Sequence, residues 1–248
     1  MKRLLLAALA LLSAASAARA GETNVAVAAN FTGPAREIAR AFEERTGHTA
    51  VLSFGATGQF YAQIRQDAPF TVLLAADEAT PRKAEEEGLA VAGSRFTYAI
   101  GRLVLWSRSP DAVAGEDTLR KGAFQTLAIA NPALAPYGAA AVQAMTRLGL
   151  YDALRPKIVQ GNTIAQAFQF TETGNAEVGF VALSQVIERP EGSRWTVPEA
   201  LHDPIRQDAV LLGKGAGDPV ARAFLDFLRG PEAAAVIARY GYGTAASH

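Results

Sequence analysis

The chain has no cysteine among its 248 residues. That excludes a disulfide framework, a thiolate metal site and a lipid-modified N-terminal cysteine. Nor does it carry an excess of either charge: 24 lysine and arginine residues balance 24 aspartate and glutamate residues. No basic field therefore exists to hold nucleic acid or an anionic membrane. Histidine is scarce, and His48, His202 and His248 are scattered without metal-ligand spacing. The GxSxG nucleophile elbow and the Walker P-loop are missing, and the glycine-rich stretch from Gly213 to Gly217 lacks the phosphate-loop pattern. The apolar run from Leu4 to Leu12 is too short to cross a bilayer. Past residue 20 there is no repeat at solenoid spacing and no low-complexity tract.

The first stretch that is informative by its presence is MKRLLLAALALLSAASAARA. Its basic start (Lys2, Arg3), apolar run and small-x-small ending at Ala18-Arg19-Ala20 predict a secretory signal peptide spanning 1–20 and cut after Ala20. Cleavage would leave 228 residues and remove three basic side chains, which takes the net charge to −3. A hydrophobic content of 50% with 19% charged residues describes a folded globular chain. Its length suits two lobes better than one core.

The rest is organised around VAVAANFTGPAREIARAF, Val25 to Phe42. A short apolar strand, Val25 to Ala29, turns at Asn30 into an amphipathic helix with Phe31, Ala35, Ile38, Ala39 and Phe42 on one face. The same sequence of strand, small-residue corner and helix recurs. Strands are predicted at Ala50 to Phe54, Thr71 to Ala75, Thr126 to Ala130, Ile158 to Gln160 and Val178 to Ala182, with helices between them. Such alternation implies mainly parallel sheets flanked by helices. Phe96 to Trp106 is predicted as one long strand crossing from a first lobe to a second. Glu188 to Pro198 is predicted as a loop, and Ile205 to Leu212 as a strand returning. Pro219 to Tyr240 is predicted as a helix pair broken at Gly230-Pro231. The expected lobes are 21–100 with 204–248, and 101–203, joined by two hinge crossovers with a ligand cleft between.

Four of the strand-to-helix corners carry small, hydroxyl or amide residues: Asn30, Thr57-Gly58, Tyr137-Gly138 and Asn162-Thr163-Ile164. In open α/β sheets ligands bind beyond the carboxyl ends of the strands, where each of these corners falls. The first N–H groups of a helix have no partner within it and carry roughly half a positive charge. Four such ends in one cleft would compensate about two negative charges. No lysine, arginine, aspartate or glutamate lies in the corners. A protonated oxyanion needs an acceptor for its hydrogen, so the expected guest is a fully deprotonated tetrahedral dianion. Two other chemistries are open: Fe³⁺ held by Tyr240 and Tyr242, and hydrolysis with His202 as base and Asp203 as its orienter.

The segments VAVAANF, SFGATG, ADE at Ala76 to Glu78, SRFTYAIGRLVLWS, NPALAPYG, GNTIAQAFQF, EVGFVAL and FLRGPEAAAVIARYGY together resemble the periplasmic molybdate-binding proteins of ABC importers. The match runs through nearly the whole mature chain. The resemblance implies a two-lobed type II periplasmic binding protein, not an enzyme and without a cofactor. It would take molybdate or tungstate and deliver it, as a single chain, to a membrane permease and its ATPase. The implied ligand contacts are Ala29 and Asn30, Thr57, Tyr137 and the backbone N–H of Ile164, with molybdenum held only through its oxygens. Many members have Ser at the positions of Asn30 and Thr57, and all of these keep a hydrogen-bonding side chain. Many also have a Tyr where this chain has Ala182; one branch carries it instead at the position of Tyr137, and this chain resembles that branch. Sulfate would be rejected by size, because a ring of donors set for longer metal–oxygen bonds leaves it with stretched hydrogen bonds. A carrier for sulfate is the alternative.

Overall fold

A computed structural model describes residues 20–243. The proposed signal peptide up to Arg19 and also His248 lie outside the described residues. Two five-stranded sheets form the frame. The first has the order β2-β1-β3-β10-β4 and the second β7-β6-β8-β5-β9. In the first, β1 (Glu22–Ala28) is parallel to β2 (Thr49–Gly55) and β3 (Val72–Leu74), while β10 (Ile205–Leu211) runs against both β3 and β4 (Phe96–Gly101). The second repeats this plan. There β6 (Leu127–Ala130) is parallel to β7 (Ile158–Gly161) and β8 (Val178–Ala182), and β5 (Leu103–Ser107) runs against β8 and β9 (Ser193–Thr196). In each sheet four strands share a direction and one opposes them.

The central strands are buried on both faces, which is why they read as unbroken apolar runs. On one side of the first sheet lie α1 (Thr32–Thr46), α9 (Pro219–Arg229) and α10 (Pro231–Arg239), where Phe42 meets Phe224 and Phe227 edge to face. On its other side lie α2 (Thr57–Arg65) and α3 (Ala79–Glu86), with Phe60 against Phe70. A short helix, α4 (Asp117–Lys121), precedes β6. The core of the second sheet is built by α5 (Pro136–Arg147), α6 (Tyr151–Leu154) and α7 (Ile164–Glu172). The last helix of that half, α8 (Leu183–Val186), follows β8 directly. The largest apolar cluster includes Ala28, Ala56 and Ala76 from the first half together with Leu127, Ala135 and Phe180 from the second, so packing is continuous across the cleft.

Two expectations fail. Phe96 to Trp106 is not one strand: the ladder stops at Gly101 and resumes at Leu103, on a different sheet. Periodicity does not register such a break, because apolar residues continue on both sides of Arg102. The segment from Glu188 to Pro198 is not all loop, since Ser193–Thr196 forms edge strand β9 on β5. Its sequence, SRWT, is half exposed and too short and polar to register as a strand. The first strand also starts earlier than Val25, at Glu22, where the Thr23 hydroxyl, bonded to Asp218 and Thr71, ties its beginning down.

Candidate functional site

Four helices start around one small cavity between the two sheets. The β1 corner passes through a 3₁₀ turn, Ala29–Phe31, into α1, and Ala29 and Asn30 are both buried. The β2 corner has Ala56 as N-cap and Thr57 as the first residue of α2. There the Gln59 side chain reaches back to the Ala56 N–H (3.2 Å), half of a capping box, because Ala56 has no side-chain acceptor for the other half. The β6 corner leads through Ala135 to Pro136 at the first position of α5, and Tyr137 follows, 1% exposed. Gly138 makes that approach possible, since a Cβ there would lie 2.2 Å from the Ala130 carbonyl oxygen. At the β7 corner Thr163 caps α7 by accepting from the Gln166 N–H (3.1 Å). That leaves the N–H of Ile164, at the first position of the helix, without an intrahelical partner.

All five residues named from the sequence (Ala29, Asn30, Thr57, Tyr137 and Ile164) line this cavity, and none of its eleven lining residues carries a formal charge. About 10 Å³ is open to the centre of a water-sized sphere. That is about the room one water molecule needs. Closure is direct: the Gly58 N–H of α2 donates to the Leu134 carbonyl of the facing half (2.9 Å), and the Ser184 hydroxyl donates to the Asn30 carbonyl (2.8 Å). A larger cleft of about 420 Å³, lined in part by Asp77, Glu78 and Asp203, adjoins it and shares Ala76, Ala135 and Pro136.

The two hydroxyls differ from ordinary buried hydroxyls in what they receive. The Ala76 N–H donates to Thr57 Oγ1 (3.0 Å), and Gln207 Nε2 donates to Tyr137 Oη (3.1 Å). Neither donor can accept, so the single proton of each hydroxyl remains to be given elsewhere. Burial pushes the Tyr137 phenol well above its ordinary value, and the neighbouring Tyr242 and Tyr98 hydroxyls push it further, Tyr242 as an acceptor its proton can turn to without a guest, while the hydrogen bond from Gln207 pulls it down. Tyr98 and Tyr242 are raised as well, burial again being the main cause. All three keep their protons at neutral pH.

The Asn30 side chain is engaged within the protein. Both hydrogens of its Nδ2 are taken, by Gln207 Oε1 (2.9 Å) and Tyr242 Oη (3.0 Å). The amide therefore serves a buried network, and this corner is left with main-chain N–H groups to offer an anion. Gln207, Tyr242, Tyr98 and Ser184, which complete that network, were not singled out as supports of the site. Gln207 had a signal in the sequence: it is in phase with Ile205, Ala209 and Leu211, an amide among inward positions of a strand, and it is 0% exposed.

The other candidate chemistries are not assembled. His202 is buried and its Nδ1 meets the carbonyl oxygen of Asp203 (2.7 Å), not the carboxylate. The Asp203 carboxylate instead takes Arg147 (2.5 Å) and Gln143 (2.9 Å), and Arg147 holds it below the usual range. Tyr242 is buried in the network, whereas Tyr240 is half-buried and lies against Gly33. Among the described residues no group of three or more His, Cys, Asp or Glu side chains could hold a metal ion, and no helix is long and apolar enough to cross a membrane.

Two lobes of mixed sheet shut on an uncharged cavity at their strand-to-helix corners define a two-lobed binding protein of the type II periplasmic kind. The model of a family described as bacterial extracellular solute-binding protein matches residues 23–243, and the chain belongs to that family. It is 58% identical over 233 residues to the molybdate-binding protein ModA of Azotobacter vinelandii, covering 92% of each chain. To the ModA of Rhodobacter capsulatus it is 56% identical over 227 residues, covering 92% of this chain and 90% of that one. Among solved structures, a periplasmic molybdate-binding protein of Azotobacter vinelandii superposes with a TM-score of 0.88 at 41% identity, covering 90% of this chain and 99% of that one.

Proposed function

We propose that this chain is the capture component of a molybdate importer. It takes molybdate, and tungstate of nearly equal size, into the interlobe cavity and delivers it to an ABC permease and its ATPase. Ala29, Asn30 and Ile164 donate through main-chain N–H groups, and Thr57 and Tyr137 through their hydroxyls. The protein is exported to the periplasm, cut after Ala20, and works as a single chain that performs no chemistry. Its lobes are 21–100 with 204–248, and 101–203, and they close about the two crossovers.

The observation that carries this reading is the meeting of four uncharged helix starts, from both halves of the chain, on one cavity. Relatives at 56–58% identity that bear a molybdate-binding name support the identity of the anion. Calorimetric titration of the mature protein with molybdate, tungstate, sulfate and phosphate tests it. Molybdate and tungstate are expected to bind alike and sulfate much more weakly. Sulfate binding as tight as molybdate would end the molybdate assignment.

A further inference from the structure

Gln207 lines no part of the cavity, yet its side chain is placed by three separate features. First, its Oε1 accepts from Asn30 Nδ2 (2.9 Å), which fixes the amide oxygen on that side and turns Nε2 to Tyr137; the Tyr98 hydroxyl, 3.1 Å from Oε1, shares its one proton between Oε1 and the Ala75 carbonyl (2.9 Å). Asn30 is oriented in turn by Tyr242, whose proton goes to the Asn30 carbonyl (2.8 Å) and whose oxygen is left to accept from Nδ2. Second, the ladder between β10 and β4 shifts register between Gln207 and Asp208: Gln207 pairs with Ala99 and Asp208 with Thr97, so Tyr98 is the extra residue. Bulges of this kind re-aim side chains, and this one coincides with the Tyr98 hydroxyl above Gln207. Third, Gly101 ends β4 where a Cβ would lie 2.1 Å from Tyr137 Oη and 2.6 Å from Gln207 Nε2. Only a residue without a side chain leaves room for the two to meet.

We infer that Gln207 is a positioning residue for ligand selection: by donating to Tyr137 Oη across the lobes it directs the tyrosine proton to the bound oxyanion. The inference rests on the proposed function. Thr57 uses the same device with a main-chain donor, the Ala76 N–H. Gln207 is the version that mutation can reach, and Gly101 is the space it needs.

A double-mutant cycle read by molybdate calorimetry at pH 8, with a melting curve for each variant, tests the inference. Tyr137→Phe is expected to lower affinity about ten- to a hundredfold, the worth of one charge-assisted hydrogen bond. Gln207→Met, close in volume and unable to donate, is expected to cost about tenfold in the wild-type background and less than about twofold in Tyr137→Phe. A residue that only holds the fold would lower melting temperature and affinity alike in both backgrounds, and that result overturns the inference. So does an unchanged affinity in Gln207→Met. Gly101→Ala gives a second route that leaves the amide in place: it is expected to weaken molybdate at least as much as Gln207→Met, and an undiminished affinity there also overturns the inference. A wild-type chain that does not bind molybdate overturns the proposed function and this inference with it. A wild type that binds, with no coupling between positions 207 and 137, overturns this inference alone.

Discussion

Replacing Thr57 by valine separates what its hydroxyl does for the fold from what it does for the anion. The side chain is 1% exposed, and its oxygen accepts the Ala76 N–H at 3.0 Å. Valine keeps the shape and removes both functions. Leaving the Ala76 N–H buried without a partner costs about 1–3 kcal/mol, which at about 2–4 °C per kcal/mol for a chain of this size lowers the melting temperature by about 2–12 °C. Losing the hydroxyl's own donation to a charged oxygen costs about 1.5–3 kcal/mol of binding, or about ten- to 150-fold in molybdate affinity. Thr57→Ser keeps both bonds and is expected to bind within about twofold of wild type. Thermal melts and molybdate calorimetry on the two variants give the two quantities separately. If Thr57→Val melts lower yet binds molybdate as well as wild type, the hydroxyl is only structural and the cavity is not the anion site as drawn.

Two further predictions concern groups beside the cavity. Burial raises the Asp77 carboxyl above its ordinary value, outweighing the hydrogen bonds from the Thr80 N–H and hydroxyl that pull it down. The native state therefore holds this proton more tightly than the unfolded chain, and stability falls as pH rises from the ordinary aspartate value through the folded one. Asp77→Asn, which keeps an oxygen for the Thr80 N–H, is expected to melt higher than wild type at pH 7, with the gap closing toward about pH 4; a gap that does not change with pH contradicts this. Arg95, whose side chain is 30% exposed, bonds the wholly buried Asp208 at 2.5 Å, and the Thr97 hydroxyl holds the other carboxylate oxygen at 2.7 Å. Arg95→Met strands that carboxylate and is expected to cost about 3 kcal/mol of stability, seen as a fall of about 6–12 °C in melting temperature. Molybdate affinity should not change, because neither side chain bonds a residue that lines the cavity.

The sequence made the main-chain part of the site legible and hid the rest, for a physical reason. A strand followed by a polar corner and an amphipathic helix is a local pattern, so Ala29, Asn30, Thr57, Tyr137 and Ile164 could each be found from their immediate neighbours. That they meet at one cavity depends on how two sheets face each other. Local patterns do not contain that, and the family resemblance supplied it. The supporting residues are non-local throughout: Gln207 lies 177 positions from Asn30 and 70 from Tyr137, and Tyr242 lies 212 from Asn30. Tyr242 stands just past the last helix, and nothing in its sequence neighbourhood announces a hydroxyl bonded to the first corner. The split of Phe96 to Trp106 was hidden for the opposite reason: Gly101 and Arg102 interrupt the pairing without interrupting the apolar pattern.

The neutrality of the cavity bears on selectivity as well as on release. Four helix ends of about half a charge each offset a dianion, and they leave no uncompensated buried cation when it departs, as an arginine would. Dipoles alone would favour hydrogenphosphate nearly as well as a fully deprotonated anion, since both carry two charges. The hydroxyls separate them. Because the Ala76 N–H and Gln207 Nε2 already donate to Thr57 and Tyr137, each hydroxyl has its proton to give to a guest, and turning a lone pair to a P–O–H group instead would leave that proton without an acceptor. A buried hydroxyl left without an acceptor costs about 1–3 kcal/mol, so hydrogenphosphate should bind about five- to 150-fold more weakly than size alone predicts. In the same titration series, phosphate affinity should rise with pH through its second ionisation, as the dihydrogen ion gains its second charge and loses one of two hydrogens, and should stay below that of molybdate while one hydrogen remains. Phosphate binding that peaks where the monohydrogen form dominates, at molybdate strength, would mean that one of these hydroxyls accepts, and the direction assigned to its proton would be wrong.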